Sequence, residues 1–377
     1  MRESGVYDSN LSAEDIFDAQ FRDSKGRVVP PPELTAKTPV ADTHCHLDML
    51  RHPALALARA AAHGVEFLVS VCDPTEDAAY TYRELPHWRK AAHELLGAWN
   101  AELPAGRRTT EEAPQTRVII GCHPHNAAKY TPETERTLKT LAARPLTCGI
   151  GEIGLDYHYD YSPRETQREV FARQLALAAD AMLPVALHLR ESHADGLAIL
   201  REAGPLPAGV LLHCYNLDYD TLRPFLDLGC YVAFGGALTF KKSDEVRDAA
   251  ARVPLERLLT ETDAPFMAPV PLRGTVCGPE CTVFTAACLT ELRLEAAEEA
   301  EWQPQADAND ANGANGTASC VSAEQPHQHG SAHLRHRDAE LAARGLSVPG
   351  QDASHEAVAI LNTIYETARR LFDRSRE

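Results

Sequence analysis

The stretch PVADTHCH, residues 39–46, sets the pattern from which the fold follows: a short apolar run that ends in histidines. It leads into PALALARAAAH (53–63), in which apolar residues recur at the three- and four-residue steps of a helix. The same alternation continues along the chain. The predicted strands are PVADTHC (39–45), EFLVSV (66–71), RVIIGC (117–122), LTCGIGEI (146–153), PVALHL (184–189), GVLLHC (209–214), CYVAFG (230–235) and RLLTET (257–262).

Apolar strands that alternate with helices indicate a parallel sheet, because parallel strands need crossovers and the crossovers cover both faces. A doubly wound open sheet fits that alternation equally well. Ionisable residues, however, end the first, fourth, fifth, sixth and eighth predicted strands. Only a closed barrel brings all those ends around one point. We therefore predict an α/β fold, a (β/α)8 TIM barrel with a metal site at the C-terminal ends of its strands.

Composition suggests where this barrel begins and ends. Residues 1–37 are polar, and we expect an arm that precedes the domain and is not part of its core. The barrel is expected over residues 38–299. Residues 300–337 are rich in Ala, Asn, Gly, Gln and His, which predicts a disordered, low-complexity insertion. Residues 338–377 contain the amphipathic pattern HEAVAILNTIYETARRLFD (355–373), which predicts a last helix that completes the barrel wall.

Charge and cysteine content limit the class of protein. The chain has 377 residues and a formal net charge of −17, which argues against a protein that binds nucleic acid through a basic surface. Metal ions inside a site can still reverse the local charge. The ten cysteines lie mostly in apolar, strand-like segments, and the N-terminus carries no apolar leader. We expect a cytoplasmic protein without a membrane segment.

Potential metal ligands end these apolar runs. His44 and His46 project from the same face of their strand, because residues two apart in a strand do so. Glu152 lies between glycines that would leave its carboxylate exposed at the rim. For any single residue, a hydrogen-bonded core histidine or a helix-capping aspartate explains the position as well. The coincidence of six such residues favours a metal site, made of His44, His46, Glu152, His188, His213 and Asp263.

The mixture of imidazole and carboxylate side chains indicates the kind of ion. Such a set suits Zn²⁺, Mn²⁺ and similar ions better than Ca²⁺. Six ligands are too many for one tetrahedral ion, but they suit two divalent ions (Mg²⁺, Mn²⁺ or Zn²⁺) that share a bridging carboxylate. Glu152 is the natural bridge. Two ions held in this way acidify water and stabilise a group that is being displaced.

Several motifs in this order resemble the TatD family of metal-dependent deoxyribonucleases, in the amidohydrolase superfamily. The resemblance implies 3'-5' exonuclease or related phosphodiesterase activity on DNA or another phosphodiester. It also implies that His44, His46 and Asp263 hold one ion, that His188 and His213 hold the other, and that Glu152 and Asp263 are catalytic. The motifs are DTHCHLD (42–48), GCHPH (121–125), GEIGLDY (151–157), LPVALHLR (183–190), HCYN (213–216), GGALTF (235–240) and LLTETDAPFMAP (258–269).

Three further residues resemble groups on the substrate side of that family: His125, Arg190 and Arg273. Each has an alternative as a surface or structural residue. Arginine suits phosphate because its planar fork makes bidentate bonds. The chain departs from the family after Arg273, and HCYN replaces the usual continuation after HC, so substrate contacts are less firmly implied than the metal chemistry.

Two other functions stay open from the sequence. One is hydrolysis at a carbonyl centre by an amidase, lactonase or deacylase, although many such barrels bridge their metals with a carboxylated lysine where this chain has Glu152. The other is a scaffold without activity. Cys277 and Cys281 have a spacing compatible with a metal or redox pair, but ordinary cysteines are the simpler interpretation. Cys45, Cys122 and Cys214 are expected to face away from the metal site.

Overall fold

The computed structural model describes residues 21–76, 78–103, 109–301 and 355–373. Eight strands form one sheet in which each strand pairs in parallel with the next along the chain, so the predicted TIM barrel is confirmed. Every strand predicted from the sequence overlaps an observed one. The strands are β1 (Val40–Cys45), β2 (Val65–Cys72), β3 (Gln115–Ile120), β4 (Thr147–Asp156), β5 (Val185–Arg190), β6 (Val210–Leu212), β7 (Tyr231–Phe234) and β8 (Leu258–Thr260).

Helices follow the strands and cover the barrel. Their starts use local signals, such as the capping box of Thr131 and Thr134 before one helix and the Asp218 side chain before another. The helices are α1 (Pro53–Ala62), α2 (Ala78–Glu102), α3 (Pro132–Ala142), α4 (Arg164–Ala181), α5 (His193–Ala203), α6 (Tyr219–Leu226), α7 (Asp244–Arg252), α8 (Thr282–Glu301) and α9 (His355–Phe372). Short 3-10 helices span Glu33–Lys37, Leu47–Met49, Pro124–Lys129, Gly236–Thr239, Leu255–Arg257 and Pro279–Cys281.

Threonine side chains join β1 to β8 where the barrel closes. The hydroxyl of Thr43 donates to the carbonyl of Thr260 at 2.9 Å, and the hydroxyl of Thr260 donates to the carbonyl of Ala41 at 2.8 Å. Beyond the end of β8, the N–H of Asp263 donates to the carbonyl of His44 at 2.9 Å. These hydrogen bonds hold β1 and β8, the first and the last strand, beside each other, and they place Asp263 next to His44.

The last helix covers the bottom of the barrel. The residues at its C-terminal end, Tyr365, Ala368, Leu371 and Phe372, pack with side chains that fill the barrel interior, including Phe67 and Ile119. Asp373 then accepts hydrogen bonds from Gln115 and Arg117 at the start of β3, both at 2.9 Å. We expected α9 to complete the wall. Only its first half packs beside α8, because its apolar stripe continues into the opening between the strand starts.

The N-terminal segment contributes to the core, contrary to the expectation of a separate arm. In the described part, residues 21–37, Phe21 is 3% exposed and Leu34 is 5% exposed. The Phe21 ring lies 4.9 Å from that of Phe284 in α8 and 4.5 Å from that of His63. Two apolar anchors thus hold an otherwise polar segment against the barrel.

Some expectations fall on other parts of the chain. Residues 1–20 of the arm and residues 302–354, which include most of the predicted insertion, lie outside the described residues. Among the helices that are described, none combines the length and the apolar character needed to cross a bilayer.

Candidate metal centre

The six predicted ligands converge at the C-terminal ends of the strands. They come from five separate strands or from the residues just beyond them. Their ring and carboxylate atoms form one connected cluster with Glu152 at its centre, as the distances below show. The structure therefore brings together all six residues that the sequence analysis named as candidate ligands. The cluster consists of His44, His46, Glu152, His188, His213 and Asp263.

The Glu152 carboxylate is surrounded by imidazoles. Its Oε1 lies 2.5 Å from Nδ1 of His188 and 2.8 Å from Nε2 of His213. Its Oε2 lies 3.4 Å from Nε2 of His44 and 3.7 Å from Nε2 of His46. The side chain is only 4% exposed, so the expectation of a carboxylate exposed at the rim was wrong. Its strand continues to Asp156, which leaves Glu152 inside the barrel mouth.

A glycine lets β4 approach β5 closely at this point. Gly154 has a φ of +145°, and a Cβ atom there would lie 2.0 Å from the carbonyl oxygen of His188. No other residue fits that space without moving the backbone. The close approach brings His188 within reach of both carboxylates of β4, because its Nδ1 faces Glu152 and its Nε2 lies 3.2 Å from Oδ2 of Asp156.

The imidazoles keep Glu152 ionised despite its burial. Burial alone would raise the pKa of this carboxyl, but His213, His123 and His188 together lower the pKa well below its usual range. An ionised carboxylate in the centre of a ring of imidazoles is the side chain that a bridging position between two cations requires.

His44 provides an independent test of whether the cluster fits a metal ion. Its imidazole is fully buried, and neither ring nitrogen has a hydrogen-bond partner among the described residues. Burial and the charge of the stacked His213 ring lower the pKa of His44 to about 4, so the imidazole is neutral at pH 7. A buried polar group without a partner is costly, and a neutral imidazole nitrogen is a good ligand for a divalent ion. The donor set therefore fits a metal.

Asp263 lies on the other side of His46. Its Oδ1 is 3.3 Å from Nε2 of His46, and its backbone has a φ of 56°. Burial acts to raise the pKa of this carboxyl, but the hydrogen bond from His46 and the charge of His213 lower it below the usual range. No helix of the described residues begins at Asp263, so the alternative of a helix-capping aspartate is wrong.

Three groups of side chains in the cluster have the arrangement of metal ligands. In each group, the potential ligand atoms lie within 4.8 Å of one another. Two of the groups share His44 and the third contains Glu152, which lies 3.4 Å from His44, so the arrangement suggests a binuclear site. They are His44, His46 and Asp263; His44, His213 and Glu261; and His123, Glu152 and His188.

His123 and Glu261 were not among the predicted ligands. Nε2 of His123 lies 3.4 Å from Oε1 of Glu152, and burial lowers the pKa of His123 to about 4. The sequence contained a signal for His123, because His123 and His125 beyond β3 repeat the two-residue spacing of His44 and His46 at the end of β1.

Glu261 precedes Asp263 by two residues and is fully buried. Neither of its carboxylate oxygens has a hydrogen-bond partner in the described part of the chain, and Nδ1 of His213 lies 3.7 Å away. Burial raises the pKa of Glu261 to about 7. Like His44, it is a buried group whose polar atoms face the cluster.

The predicted substrate-side residues lie in different places. Nε2 of His125 is 2.8 Å from Oδ2 of Asp156. The exposed guanidinium of Arg190 lies over the Tyr159 ring, 4.7 Å from its centroid, and that of Arg273 lies 4.1 Å from the centroid of Phe240. Neither arginine makes an ion pair with a described residue, so both guanidinium groups are free to bind an anion.

The cysteines lie partly where we expected them. Cys45 is fully buried in the layer between strands and helices. Cys214, by contrast, does not face away from the site: burial and then the nearby carboxylates of Asp263 and Glu261 raise its pKa. Strand alternation fails there because β6 ends at Leu212.

Cys277 and Cys281 are both buried close together, and neither belongs to a candidate metal group within the described residues. The histidine-containing PHQHG segment (326–330) that the sequence places near them in the chain lies outside the described residues.

Comparison with known proteins supports this interpretation of the site. The model of the family described as TatD related DNase matches residues 41–309. The "Uncharacterized metal-dependent hydrolase YcfH" of Escherichia coli K12 is 35% identical over 266 residues, which are 69% of this chain and 90% of that protein. The "3'-5' ssDNA/RNA exonuclease TatD" of Pantoea vagans is 40% identical over 154 residues, 41% of this chain and 59% of that protein.

Among solved structures, the chain is similar to YJJV, a TatD homologue from Escherichia coli K12. The TM-score is 0.61 and the sequence identity is 22%, over 89% of this chain and 98% of that one. At this identity the similarity supports the fold.

Proposed function

Because the chain belongs to the TatD family of metal-dependent hydrolases, we propose that it is a two-metal deoxyribonuclease of the 3'-5' exonuclease type. The observation that carries the proposal is the ionised, buried carboxylate of Glu152 within a ring of imidazoles, beside His44, which has no hydrogen-bond partner among the described residues. The printed function of the Pantoea vagans relative supports a nucleic-acid substrate.

The cluster divides into two sets of ligands under this proposal. His44, His46 and Asp263 would hold one ion, His188 and His213 would hold the other, and Glu152 would be shared between the two sets. His123 stands close enough to Glu152 to join the second set. Divalent ions such as Mg²⁺, Mn²⁺ or Zn²⁺ supply the positive charge that stabilises a phosphodiester under attack and acidify water at neutral pH.

Asp263 is the proton acceptor in this proposal. The hydrogen bond from His46 holds its carboxylate in place, and its lowered pKa keeps it ionised at neutral pH. A positioned carboxylate within reach of water can orient that water and take its proton as it attacks. Asp263 also belongs to the first ligand set, so the proposed base lies beside the metal centre.

The substrate's phosphate requires local positive charge, because the whole protein carries a formal net charge of −17. Arg190 and Arg273 are exposed and have guanidinium groups without an ion-pair partner among the described residues. His125 lies beside Asp156 at the edge of the cluster. We assign these three residues to binding the phosphates next to the scissile bond.

The test is release of nucleotides from single-stranded DNA in the presence of Mg²⁺ or Mn²⁺, measured for the wild type and for Glu152→Ala. We expect release by the wild type and its loss in the variant. Hydrolysis of an ester or amide substrate with no release of nucleotides would instead favour the carbonyl-centre alternative. A protein that binds metal but hydrolyses neither substrate would be a scaffold.

A further inference from the structure

Two exposed tyrosines stand together just beyond the end of β4. Tyr159 is 45% exposed and Tyr161 is 67% exposed. Their rings are nearly parallel, with centroids 5.3 Å apart and an interplanar angle of 14°. Exposed aromatic rings of this kind combine an apolar face with a polar tip and are enriched where proteins bind ligands. Because the two rings stack on each other, the pair offers solvent an outer ring face, and Tyr161 is the more exposed of the two.

This surface is connected to the metal centre through one side chain. The His125 ring is nearly perpendicular to both tyrosine rings, with centroid distances of 5.4 Å to Tyr159 and 4.8 Å to Tyr161. His125 in turn contacts the cluster directly, because its ring centroid lies 4.3 Å from that of His123 and 6.1 Å from that of His188. A substrate that lies on the tyrosines is thus one residue away from the metal ligands.

The loop that carries the tyrosines is held in place before any substrate binds. Oδ1 of Asp156 accepts hydrogen bonds from the backbone N–H groups of His158, at 3.0 Å, and Tyr159, at 2.9 Å. The Arg190 guanidinium lies over the Tyr159 ring. A surface that is already ordered loses little conformational entropy on binding.

We propose that Tyr159 and Tyr161 form a stacking platform for a nucleobase of single-stranded nucleic acid, with Arg190 binding the phosphate beside that base. This inference rests on the proposed nuclease function. Stacking suits an acidic protein, because it does not depend on long-range attraction of the phosphate backbone. It also accepts every base, since each has a π face, whereas a base paired within a duplex is already stacked and cannot reach the platform.

The test compares Tyr161→Ala with Tyr161→Phe, which keeps the ring. Both variants act on a short single-stranded oligonucleotide and on copies of it with an abasic site placed at each position in turn. We expect Tyr161→Ala to raise KM roughly tenfold and Tyr161→Phe to leave it unchanged. An abasic site at one position should raise the KM of the wild type by a similar factor. It should not raise the KM of Tyr161→Ala any further, because the two changes remove the same contact.

A second readout measures stacking without catalysis. The fluorescence of 2-aminopurine at that position should be quenched on binding to the wild type and to Tyr161→Phe, but not to Tyr161→Ala. Equal KM values for all three proteins, with the abasic cost unchanged by Tyr161→Ala, would overturn the platform while the nuclease function stands. A rise in KM seen only in Phe266→Ala would also overturn the platform, because Phe266 is another exposed aromatic residue and borders the cluster beside His46. A wild type without nuclease activity would overturn both proposals.

Discussion

Nε2 of His44 lies 3.4 Å from Oε2 of Glu152, and both groups are almost completely buried. His44 is neutral while Glu152 is ionised, so the pair is not a simple ion pair. A neutral imidazole and a carboxylate are both ligands for divalent ions. That arrangement suits a cation, and it leads to one prediction for each of the two residues.

Replacing Glu152 with alanine should abolish binding of at least one of two metal ions. The carboxylate supplies the negative charge at the centre of the ring of imidazoles, and without that charge the remaining ligands hold a cation less tightly. We expect the metal content, measured by elemental analysis after dialysis, to fall from about two ions per chain to one or none. Glu165→Ala, which changes an exposed glutamate on α4, is the matched control and should keep full occupancy. Two tightly held ions in Glu152→Ala would contradict its bridging role.

Replacing His44 with phenylalanine should stabilise the metal-free protein and destabilise the metal-loaded one. Phenylalanine keeps the ring that stacks on His213 at 3.9 Å, and it removes two buried nitrogens that have no partner among the described residues. We expect the free energy of unfolding in EDTA to rise by about 1 kcal/mol. Denaturant titrations with and without metal measure both effects. An equal loss of stability in both conditions would mean that His44 has only a packing role.

The strand ends were readable from the sequence because each apolar run stops at an ionisable residue. His44, His188 and Glu152 were found in this way, since strand alternation fixes the direction of their side chains. The prediction failed where the chain leaves the strand. Cys214 follows the end of β6 and has a φ of 47°, so alternation no longer determines the direction of its side chain.

The core outside the barrel was harder to predict for a different reason. Average composition made residues 1–37 look like a polar arm, yet single residues such as Phe21 and Leu34 anchor the described part of it. The last helix was predicted correctly as an element, but an amphipathic pattern does not say which apolar surface it will cover. Its position across the barrel bottom depends on the opening between the starts of the eight strands, and no local sequence pattern indicates that opening.

Arg190 should contribute to substrate binding through its planar guanidinium. Its side chain lies over Tyr159 and makes no ion pair with the described residues, so little structure depends on it. We expect Arg190→Ala to raise KM for single-stranded DNA about tenfold and Arg190→Lys to recover only part of that loss, because lysine lacks the fork that pairs with phosphate. Steady-state kinetics beside Arg201→Ala, an exposed arginine at the end of α5, would check this. An effect on kcat alone would place Arg190 outside substrate binding.

His63 should make stability depend on pH independently of the metal centre. Burial and the charge of Arg59 lower the pKa of His63 to about 3, whereas an unfolded histidine titrates near 6.5. Its contribution to the free energy of unfolding is therefore present above about pH 6.5 and is lost as the pH falls toward 3, because the unfolded chain takes up the proton first.

The variant His63→Phe keeps a ring against Phe21 and lacks this proton. Relative to it, the wild type should lose about 2 kcal/mol of unfolding free energy between pH 7 and pH 5. Denaturant titrations in EDTA at several pH values give the difference, with the exposed His87→Gln as control. Parallel pH profiles for wild type and His63→Phe would show that His63 takes up its proton without unfolding.

Phe372 provides a test of whether the barrel bottom acts separately from the site at its top. Its ring is fully buried with the interior side chains, and a Cβ at Gly149 would lie 3.4 Å from it. Phe372→Ala should lower the free energy of unfolding by about 3–4 kcal/mol, because it removes a large buried ring and leaves a cavity. Thermal unfolding measures this cost, with Asn362→Ala on an exposed position of α9 as the control. Metal content and kcat well below the unfolding temperature should stay at wild-type values, since the ligands lie at the opposite ends of the strands. Loss of metal from folded Phe372→Ala would mean instead that α9 sets the positions of the ligands through the barrel interior.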